Sequence, residues 1–206
     1  MRDYLSWHDQ YDDPDSPLAW RLGVVRRLIT EHLDSHDGPQ RVLSLCAGDG
    51  RDVIGVLRAR QDADRVEATL VEVLPELVSR ARTAADGLDV GVRAGDAGQL
   101  ATFADALPVD LLLLIGIFGN IFPDDIERTV RASASLCRPA ATVLWSRSRE
   151  RGDLNEVIRG WFAECGFTEL AYETYPRELQ PSVGALRYDG PALDVPTSGE
   201  LFTFVR

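Results

Sequence analysis

The sequence predicts a doubly wound α/β fold, in which a mostly parallel sheet carries helices on both faces. Helical and strand patterns alternate along the chain from about residue 16, which is the order that repeated strand–helix units require. The strand segments are short apolar runs, and residues 111–117 read LLLLIGI. A strand that is apolar on both faces is typical of the centre of a parallel sheet. The length of 206 residues fits one domain.

Each predicted element has a local signal. The first helix begins at Ser16 and Pro17, because Ser caps a helix and Pro suits its first turn, and its apolar stripe continues to Leu33. The other predicted helices are residues 53–59, 75–85, 124–136 and 153–165. The predicted strands are residues 41–46, 66–73, 90–94, 111–117, 141–145, 167–174 and 200–205. Residues 175–198 are rich in Pro and Gly and are predicted to form a long loop or lid.

These elements are expected to form a single domain over residues 1–206. Residues 1–38 form an N-terminal helical or lid segment, and residues 39–150 form the core that binds a ligand. Residues 151–206 supply a helix, a hairpin and a covering loop. The domain is expected to act as a monomer or a homodimer.

The charge of the chain excludes several functions. Its 33 acidic residues outnumber its 22 cationic residues, for a net charge of −11, and every cation is Arg. Broad nucleic-acid binding is disfavoured by this charge, and a polybasic membrane patch is absent. Schiff-base chemistry and a Walker-type phosphate loop both need a Lys. The only His residues are His8, His32 and His36.

Neither the cysteines nor the N-terminus indicates a special compartment or a metal. Cys46, Cys137 and Cys165 match no zinc or redox spacing. The first residues are polar and acidic, without the apolar core of a signal peptide. The longest apolar run is far too short to cross a bilayer. A cytoplasmic protein without a metal site or a membrane span is therefore expected.

Candidate ligand-binding residues follow the first three strands. A turn at residues 46–52 (CAGDGRD) contains Gly48 and Gly50, which let a ligand approach the backbone. Glu72 ends the second strand, where a carboxylate can accept from both hydroxyls of a ribose. Asp96 follows the third strand, where it can accept from an adenine amine. The dinucleotide pattern G-x-G-x-x-G fails, because Val53 stands where its last glycine belongs.

The segments RVLSLCAGDGRD, TLVEVLPELVSRAR, AGDAGQL and DLLLLIGIFGNI together resemble the class I S-adenosylmethionine-dependent methyltransferases. The resemblance covers about residues 42–145. It implies a seven-stranded sheet with an antiparallel C-terminal hairpin. Two of the three glycines of the family's first motif are kept, while Cys46 replaces the first glycine and Ser44 replaces the preceding acid.

The resemblance implies a cofactor site for S-adenosylmethionine, with S-adenosylhomocysteine as product. In that site the turn from Cys46 to Gly50 cradles the methionine part, Glu72 holds the ribose, and Asp96 with Ala97 reads the adenine. The cofactor is a cation without phosphate, which suits an acidic site free of Lys, and Asp49 or Asp52 can meet its ammonium. Asp52 can instead cap the helix that follows it. The full expected set is Cys46, Ala47, Gly48, Asp49, Gly50, Asp52, Glu72, Val73, Asp96, Ala97, Ile115 and Gly116.

The acceptor is expected to be a small molecule that is methylated on oxygen or nitrogen. Its contacts are expected from the ends of the fourth and fifth strands, the N-terminal segment and the predicted lid. The substrate candidates are Trp7, Tyr11, Phe118, Arg147 and Arg187, and the catalytic candidates are His8 and Asn120. Asn120 can orient the acceptor or cap the next helix.

Three origins of a general base stay open. His8 can fold over the site, a carboxylate or Tyr can act, or the acceptor is already nucleophilic, as an amine or carboxylate is; the third ranks first. Two other functions also stay open. One is a non-catalytic protein that binds S-adenosylmethionine or a nucleoside, and the other, less favoured, is an oxidoreductase with a nucleotide cofactor.

Overall fold

The computed structural model describes Tyr11 and residues 13–149, 152–177 and 181–205. Its helices are α1 (Pro17–Ser35), α2 (Val53–Arg58), α3 (Pro75–Ala84), α4 (Pro123–Leu136) and α5 (Asn155–Glu164). Its strands are β1 (Gln40–Leu45), β2 (Val66–Glu72), β3 (Val90–Ala94), β4 (Val109–Leu114), β5 (Cys137–Ser148), β6 (Phe167–Thr174) and β7 (Pro181–Tyr188). No helix in this described part is both long and apolar enough to cross a membrane.

The seven strands form one sheet in the order β3-β2-β1-β4-β5-β7-β6. Strands β1 to β5 pair in parallel, and β7 pairs antiparallel with both β5 and β6. The predicted doubly wound sheet with an antiparallel hairpin is confirmed. The strand order reverses direction between β1 and β4, and open α/β sheets bind ligands at the carboxyl ends of the strands beside such a point.

Apolar side chains cover both faces of the sheet and join it to the helices. The four leucines of β4, residues 111–114, are fully buried, as expected for a central strand. On one face, residues such as Val25 of α1 and Ala81 of α3 build one core. On the other face, residues such as Val130 of α4 and Phe162 of α5 build the second.

The first helix begins as the sequence predicts. The Ser16 hydroxyl accepts a hydrogen bond from the Ala19 N–H at 3.0 Å, and Pro17 lies in the first turn. This cap satisfies one of the backbone donors that a helix start leaves without a partner. The helix then runs to Ser35 and packs on the sheet beside β7 and β5.

The position of the last strand is the main error of the sequence prediction. The strand β7 is Pro181–Tyr188, within the segment that was predicted to be a loop or lid. Gly184 in its middle interrupts the apolar pattern, and a Cβ there would lie 2.2 Å from Nε1 of Trp145. The glycine therefore makes room for an indole on the neighbouring strand, a contact that local sequence does not reveal.

Residues 200–205, predicted to be the last strand, do not join the sheet. Within the described part of the chain, their strand-type pairings are two isolated bridges, between Glu200 and Gln99 and between Phe204 and Ile121. The predicted strand at residues 111–117 also ends earlier, at Leu114. Gly116 has a φ of 77° and turns the chain away from the strand direction.

Candidate functional site

The turn at residues 46–52, here called the glycine turn, leads from β1 into α2. Three of its residues have left-handed backbone angles: φ is 57° at Cys46, 60° at Gly48 and 71° at Gly50. A Cβ at Gly50 would also lie 2.6 Å from Cδ1 of Ile54 and 2.7 Å from Cδ1 of Leu70. Glycine is therefore required at position 50 by both conformation and space.

Cys46 adopts the left-handed conformation although it carries a Cβ, which costs roughly 1–2 kcal/mol. It occupies the position of the missing first glycine of the motif. Burial raises the pKa of the Cys46 thiol well above its usual value, and the charges of Glu72 and Asp96 raise it further. The thiol stays protonated at neutral pH, so it serves as a small packing group rather than a nucleophile.

Glu72 joins the end of β2 to the glycine turn. Its Oε2 accepts from the Gly48 N–H at 2.9 Å, and its Oε1 accepts from the N–H groups of Val73 and Leu74 at 2.9 Å each. A carboxylate has about four acceptor positions, so these three bonds leave about one, on Oε2. The residue is 6% exposed. Glu72 therefore braces the turn, a role that its sequence position does not indicate.

The two aspartates of the glycine turn have partners of their own. Asp49 forms an ion pair with Arg51, with Oδ2 at 2.6 Å from Nη2. Asp52 accepts from the Val53 N–H at 2.8 Å and caps α2. Burial raises the pKa of Asp52, and the nearby charge of Arg21 opposes that shift. The capping role, which the sequence left open for Asp52, is the one its hydrogen bond shows.

Tyr11 contacts the glycine turn and α1. The Tyr11 hydroxyl accepts from Nη2 of Arg21 at 2.6 Å, and the Cζ atom of Arg51 lies 4.5 Å from the centre of the Tyr11 ring. Arg21 is buried and approaches Gly116, whose missing Cβ would lie 3.8 Å from Nη1. The predicted substrate residue Tyr11 thus lies at this edge of the sheet. Trp7 and His8 lie outside the described residues.

The turn after β3 supplies an exposed carboxylate, and the residue that follows β2 supplies an exposed apolar side chain. The Gly98 N–H donates to Oδ1 of Asp96 at 2.8 Å, and Asp96 is exposed while Ala97 is buried. The chain of Gly95 donates its N–H to the Glu72 carbonyl at 3.0 Å, which ties this turn to the end of β2. Val73, beside Glu72, leaves 61% of its surface exposed, unusual for a valine at the end of a buried strand.

Two hydrogen bonds that involve side chains help to hold the turn after β4. The Gly116 N–H donates to the Ser146 hydroxyl at 3.0 Å, and the side-chain amide of Asn120 donates to the Gly116 carbonyl at 2.8 Å. Ile115 and Gly116 are half-buried at this edge. Asn120 therefore closes its own turn. Ser146 belongs to β5, and no sequence pattern points to its contact with the neighbouring turn.

Two predicted substrate residues at the same edge face inward. Phe118 is fully buried and packs on Trp145 at 5.9 Å between ring centres, so it has no surface for a substrate; the apolar run that suggested it continues into the core. Arg147 is also buried and donates from Nη1 to the Phe118 carbonyl and from Nη2 to the Gly152 carbonyl. Arg147 joins two turns of this edge.

The predicted role of Arg187 does not fit its position. Arg187 belongs to β7 and pairs in register with Thr142, near the amino ends of the parallel strands. Its Nε donates to Asp189 at 2.6 Å. The prediction that Arg187 covers the site depends on a lid at residues 175–198, and β7 occupies part of that segment. His32 also lies at this far edge, since its Nδ1 is 2.9 Å from Oγ1 of Thr142.

The expected cofactor residues thus lie at one edge of the sheet. Glu72 contacts both the glycine turn and the turn after β3. Arg21 lies beside the turn after β4. Among residues 13–149, 152–177 and 181–205, together with Tyr11, no group of three or more metal-ligating side chains was found. The chemical groups at this edge include carboxylates, backbone N–H groups, arginines, the Tyr11 hydroxyl and the Asn120 amide.

No family model matches the chain, and no curated protein matches it by sequence. Solved structures match its fold. A magnesium protoporphyrin IX methyltransferase from Synechocystis PCC 6803 with bound SAH has a TM-score of 0.67 at 14% identity, over 89% of this chain and 93% of that one. A 1,6-didemethyltoxoflavin-N1-methyltransferase from Burkholderia thailandensis, with its substrate and S-adenosylhomocysteine bound, has a TM-score of 0.63 at 20% identity, over 91% and 86%.

The matching structures also include a cyclase. The cyclase SpnF has a TM-score of 0.57 at 16% identity, over 81% of each chain. Identities this low establish a shared fold and not a shared reaction. The chain has the fold of the class I S-adenosylmethionine-dependent methyltransferases.

Proposed function

We propose that this protein is an S-adenosylmethionine-dependent methyltransferase that acts on a small-molecule acceptor. The observation that carries the proposal is the 2.9 Å hydrogen bond from the Gly48 N–H to Glu72. It joins the turn that the resemblance assigns to the methionine part to the acid that it assigns to the ribose. This bond supports a single site at the carboxyl ends of β1 and β2.

The residues around this bond fit S-adenosylmethionine better than a phosphate-containing cofactor. Asp49, Asp52, Glu72 and Asp96 give the edge an acidic character that suits a cationic ligand and repels a pyrophosphate. The exposed side chain of Val73 offers an apolar surface beside Glu72, as a flat aromatic base requires. The same acids, with the failed dinucleotide pattern, argue against an oxidoreductase that uses a nicotinamide cofactor.

Each group would have a separate task. Glu72 would accept one ribose hydroxyl at its remaining acceptor position, and Asp96 would accept from the adenine amine. The glycine turn would let the methionine part lie close to the backbone, because Gly48 and Gly50 carry no side chain, and Asp52, whose carboxylate is buried, would face the ammonium. When bound, the cofactor supplies a methyl group activated by the sulfonium.

The site favours catalysis by positioning. The sequence contains neither His nor Lys after residue 36, so the cofactor-binding core contributes no nitrogen base. Alignment of two reactants can contribute about 7–11 kcal/mol to lowering a barrier. An acceptor that is already nucleophilic, such as an amine or a carboxylate, needs no more than this. Tyr11 and Asn120 are the polar groups that the turns of this edge offer for orienting it.

A second candidate is a binding protein of the same fold that does not transfer a methyl group. The three backbone hydrogen bonds of Glu72 favour it, because they leave less capacity for a ribose than a free carboxylate has. The replacement of the first motif glycine by Cys46 points the same way. Methyl transfer to a small-molecule amine or carboxylate separates the two candidates.

Calorimetric titration with S-adenosylhomocysteine and with NADH tests the cofactor. We expect S-adenosylhomocysteine to bind with a Kd well below about 1 mM, equivalent to more than about 4 kcal/mol, and NADH not to bind. An Arg187→Ala variant, altered at the far edge of the sheet, is the matched control and should bind equally well. Binding of NADH without binding of S-adenosylhomocysteine would overturn the proposal.

A further inference from the structure

Residues 199–205, here called the C-terminal strap, cross the carboxyl edge of the sheet instead of joining it. At one end the strap pairs with the turn after β3. The Leu201 N–H donates to the Gly98 carbonyl at 2.7 Å, and the Leu100 N–H donates to the Gly199 carbonyl at 2.9 Å. Two reciprocal backbone bonds of this kind fix the strap and the turn in register.

The contact at Gly98 is close. A Cβ at this position would lie 2.1 Å from the Phe202 carbonyl oxygen and 3.2 Å from Oδ1 of Asp96. The first neighbour is backbone, so it cannot swing aside as a flexible side chain can. Phe202 is itself 1% exposed and Leu201 is equally buried. Glycine at 98 therefore lets the strap lie directly against the turn that carries Asp96.

The other end of the strap holds the turn after β4 and the start of α4. The Val205 N–H donates to the Asn120 carbonyl at 2.8 Å. The Thr203 N–H donates to Oδ2 of Asp125 at 2.9 Å. The sheet places β2 and β1 between β3 and β4. The strap consequently connects two turns that are not neighbours in the sheet.

We propose that the C-terminal strap is a positioning element for cofactor binding, which sets the place of the Asp96 carboxylate. Two contacts link the strap to Asp96. The strap fixes Gly98, and the Gly98 N–H donates to Oδ1 of Asp96 at 2.8 Å. The inference rests on the proposed function, in which Asp96 reads the adenine. The strap acts through Gly98.

The coupling between strap and ligand must be reciprocal. If the strap increases cofactor affinity by some factor, the bound ligand stabilises the strapped state by the same factor. S-Adenosylhomocysteine is therefore expected to slow hydrogen exchange at the amides of Leu100 and Leu201 more than at Asp189, whose N–H donates to Gly166 in the distant hairpin. If the strap only adds general stability, bound S-adenosylhomocysteine should slow hydrogen exchange equally in the strap and in the hairpin.

The variant Gly98→Ala tests the inference, with Gly160→Ala as the matched control. Gly160 is an exposed residue of α5, and a Cβ there meets nothing within 4 Å. We expect Gly98→Ala to raise the Kd for S-adenosylhomocysteine at least about tenfold and to abolish the selective protection of Leu201, while Gly160→Ala changes neither. A tenfold change is about 1.4 kcal/mol.

A second variant covers the case in which Gly98→Ala does not fold. Asp125→Ala removes the acceptor of the Thr203 N–H and should raise the same Kd in the same direction. If the wild-type protein binds S-adenosylhomocysteine and the folded variants bind it with the same Kd, the role of the strap is overturned. The proposed function then stays intact. Wild-type protein that binds no S-adenosylhomocysteine would instead overturn the proposed function, and this inference with it.

Discussion

At the scale of single residues, the acids of the candidate site are already engaged with the protein. Glu72 accepts three backbone hydrogen bonds, Asp49 pairs with Arg51, and Asp52 caps a helix. The sequence places these acids at the ends of the correct strands, because strand ends follow from the apolar pattern. Their hydrogen-bond partners could not be predicted, because those come from residues distant in sequence or from loop geometry.

Replacement of Glu72 by Gln should weaken both folding and cofactor binding. The amide has one acceptor oxygen, so at least one of the backbone donors of Gly48, Val73 and Leu74 loses a good partner, at a cost of about 1–3 kcal/mol. We expect the free energy of unfolding in urea to fall by that amount. The affinity for S-adenosylhomocysteine should fall at least about tenfold.

Glu67→Gln is the control for this change. Glu67 belongs to the same strand, has a side chain that is 58% exposed and pairs with Arg41. Exposed ion pairs contribute about 0–1 kcal/mol, so this variant should match the wild type. Equal stability of Glu72→Gln and Glu67→Gln would contradict the bracing role of Glu72.

Asp52 should make stability depend on pH in a defined direction. Burial raises its pKa in the folded protein, so the folded state holds the proton more tightly than the unfolded state. The contribution of Asp52 to the free energy of unfolding therefore falls as pH rises above about 4, the usual pKa of an aspartate. Asparagine caps helices as well as aspartate and carries no charge.

The variant Asp52→Asn should consequently gain stability relative to the wild type as pH rises from about 4 to about 7. Urea unfolding of both proteins at several pH values measures this difference. If this difference in the free energy of unfolding stays constant, or changes in favour of the wild type as pH rises, the Asp52 anion is not destabilised in the folded protein.

At the scale of secondary-structure elements, the parallel strands and their helices were predictable and the C-terminal region was not. The strand β4 carries a continuous apolar signal, whereas β7 begins with Pro181 and contains Gly184. Gly184 is explained only by Trp145, which lies on another strand. Residues 200–205 (ELFTFV) are mostly apolar, as a strand is, but their partners are turns rather than a sheet edge.

The packing of α1 on the amino edge of the sheet should stabilise the protein less at acidic pH. His32 is buried there, with its ring nitrogens near Thr142 and Gln40, and burial lowers its pKa to about 4. The unfolded chain binds the proton at about pH 6.5. The contribution of His32 to stability should fall between about pH 6.5 and about pH 4, by up to about 3 kcal/mol.

His32→Asn provides the comparison for this prediction. The variant should be less stable than the wild type at pH 7, because it loses buried hydrogen bonds. The difference should shrink as pH falls toward 4, since only the wild type carries the penalty of protonating a buried imidazole. A difference that is independent of pH in urea unfolding would contradict the assignment.

At the scale of the whole molecule, charge and topology agree. The sheet reverses its strand order between β1 and β4, and the predicted cofactor residues lie at the carboxyl ends around that point. The excess of 11 negative charges and the lack of Lys are consistent with a cationic ligand. The fold itself does not select the reaction, because its matches include both methyltransferases and a cyclase.

A crystal structure of the protein with S-adenosylhomocysteine tests the central claim most directly. We predict the ligand at the glycine turn, with a ribose hydroxyl within about 3.2 Å of Oε2 of Glu72 and the adenine beside Val73 and Asp96. A ligand bound elsewhere would contradict this cofactor site. The site would also be contradicted if, in crystals that contain the ligand, the Glu72 carboxylate contacted only Gly48, Val73 and Leu74.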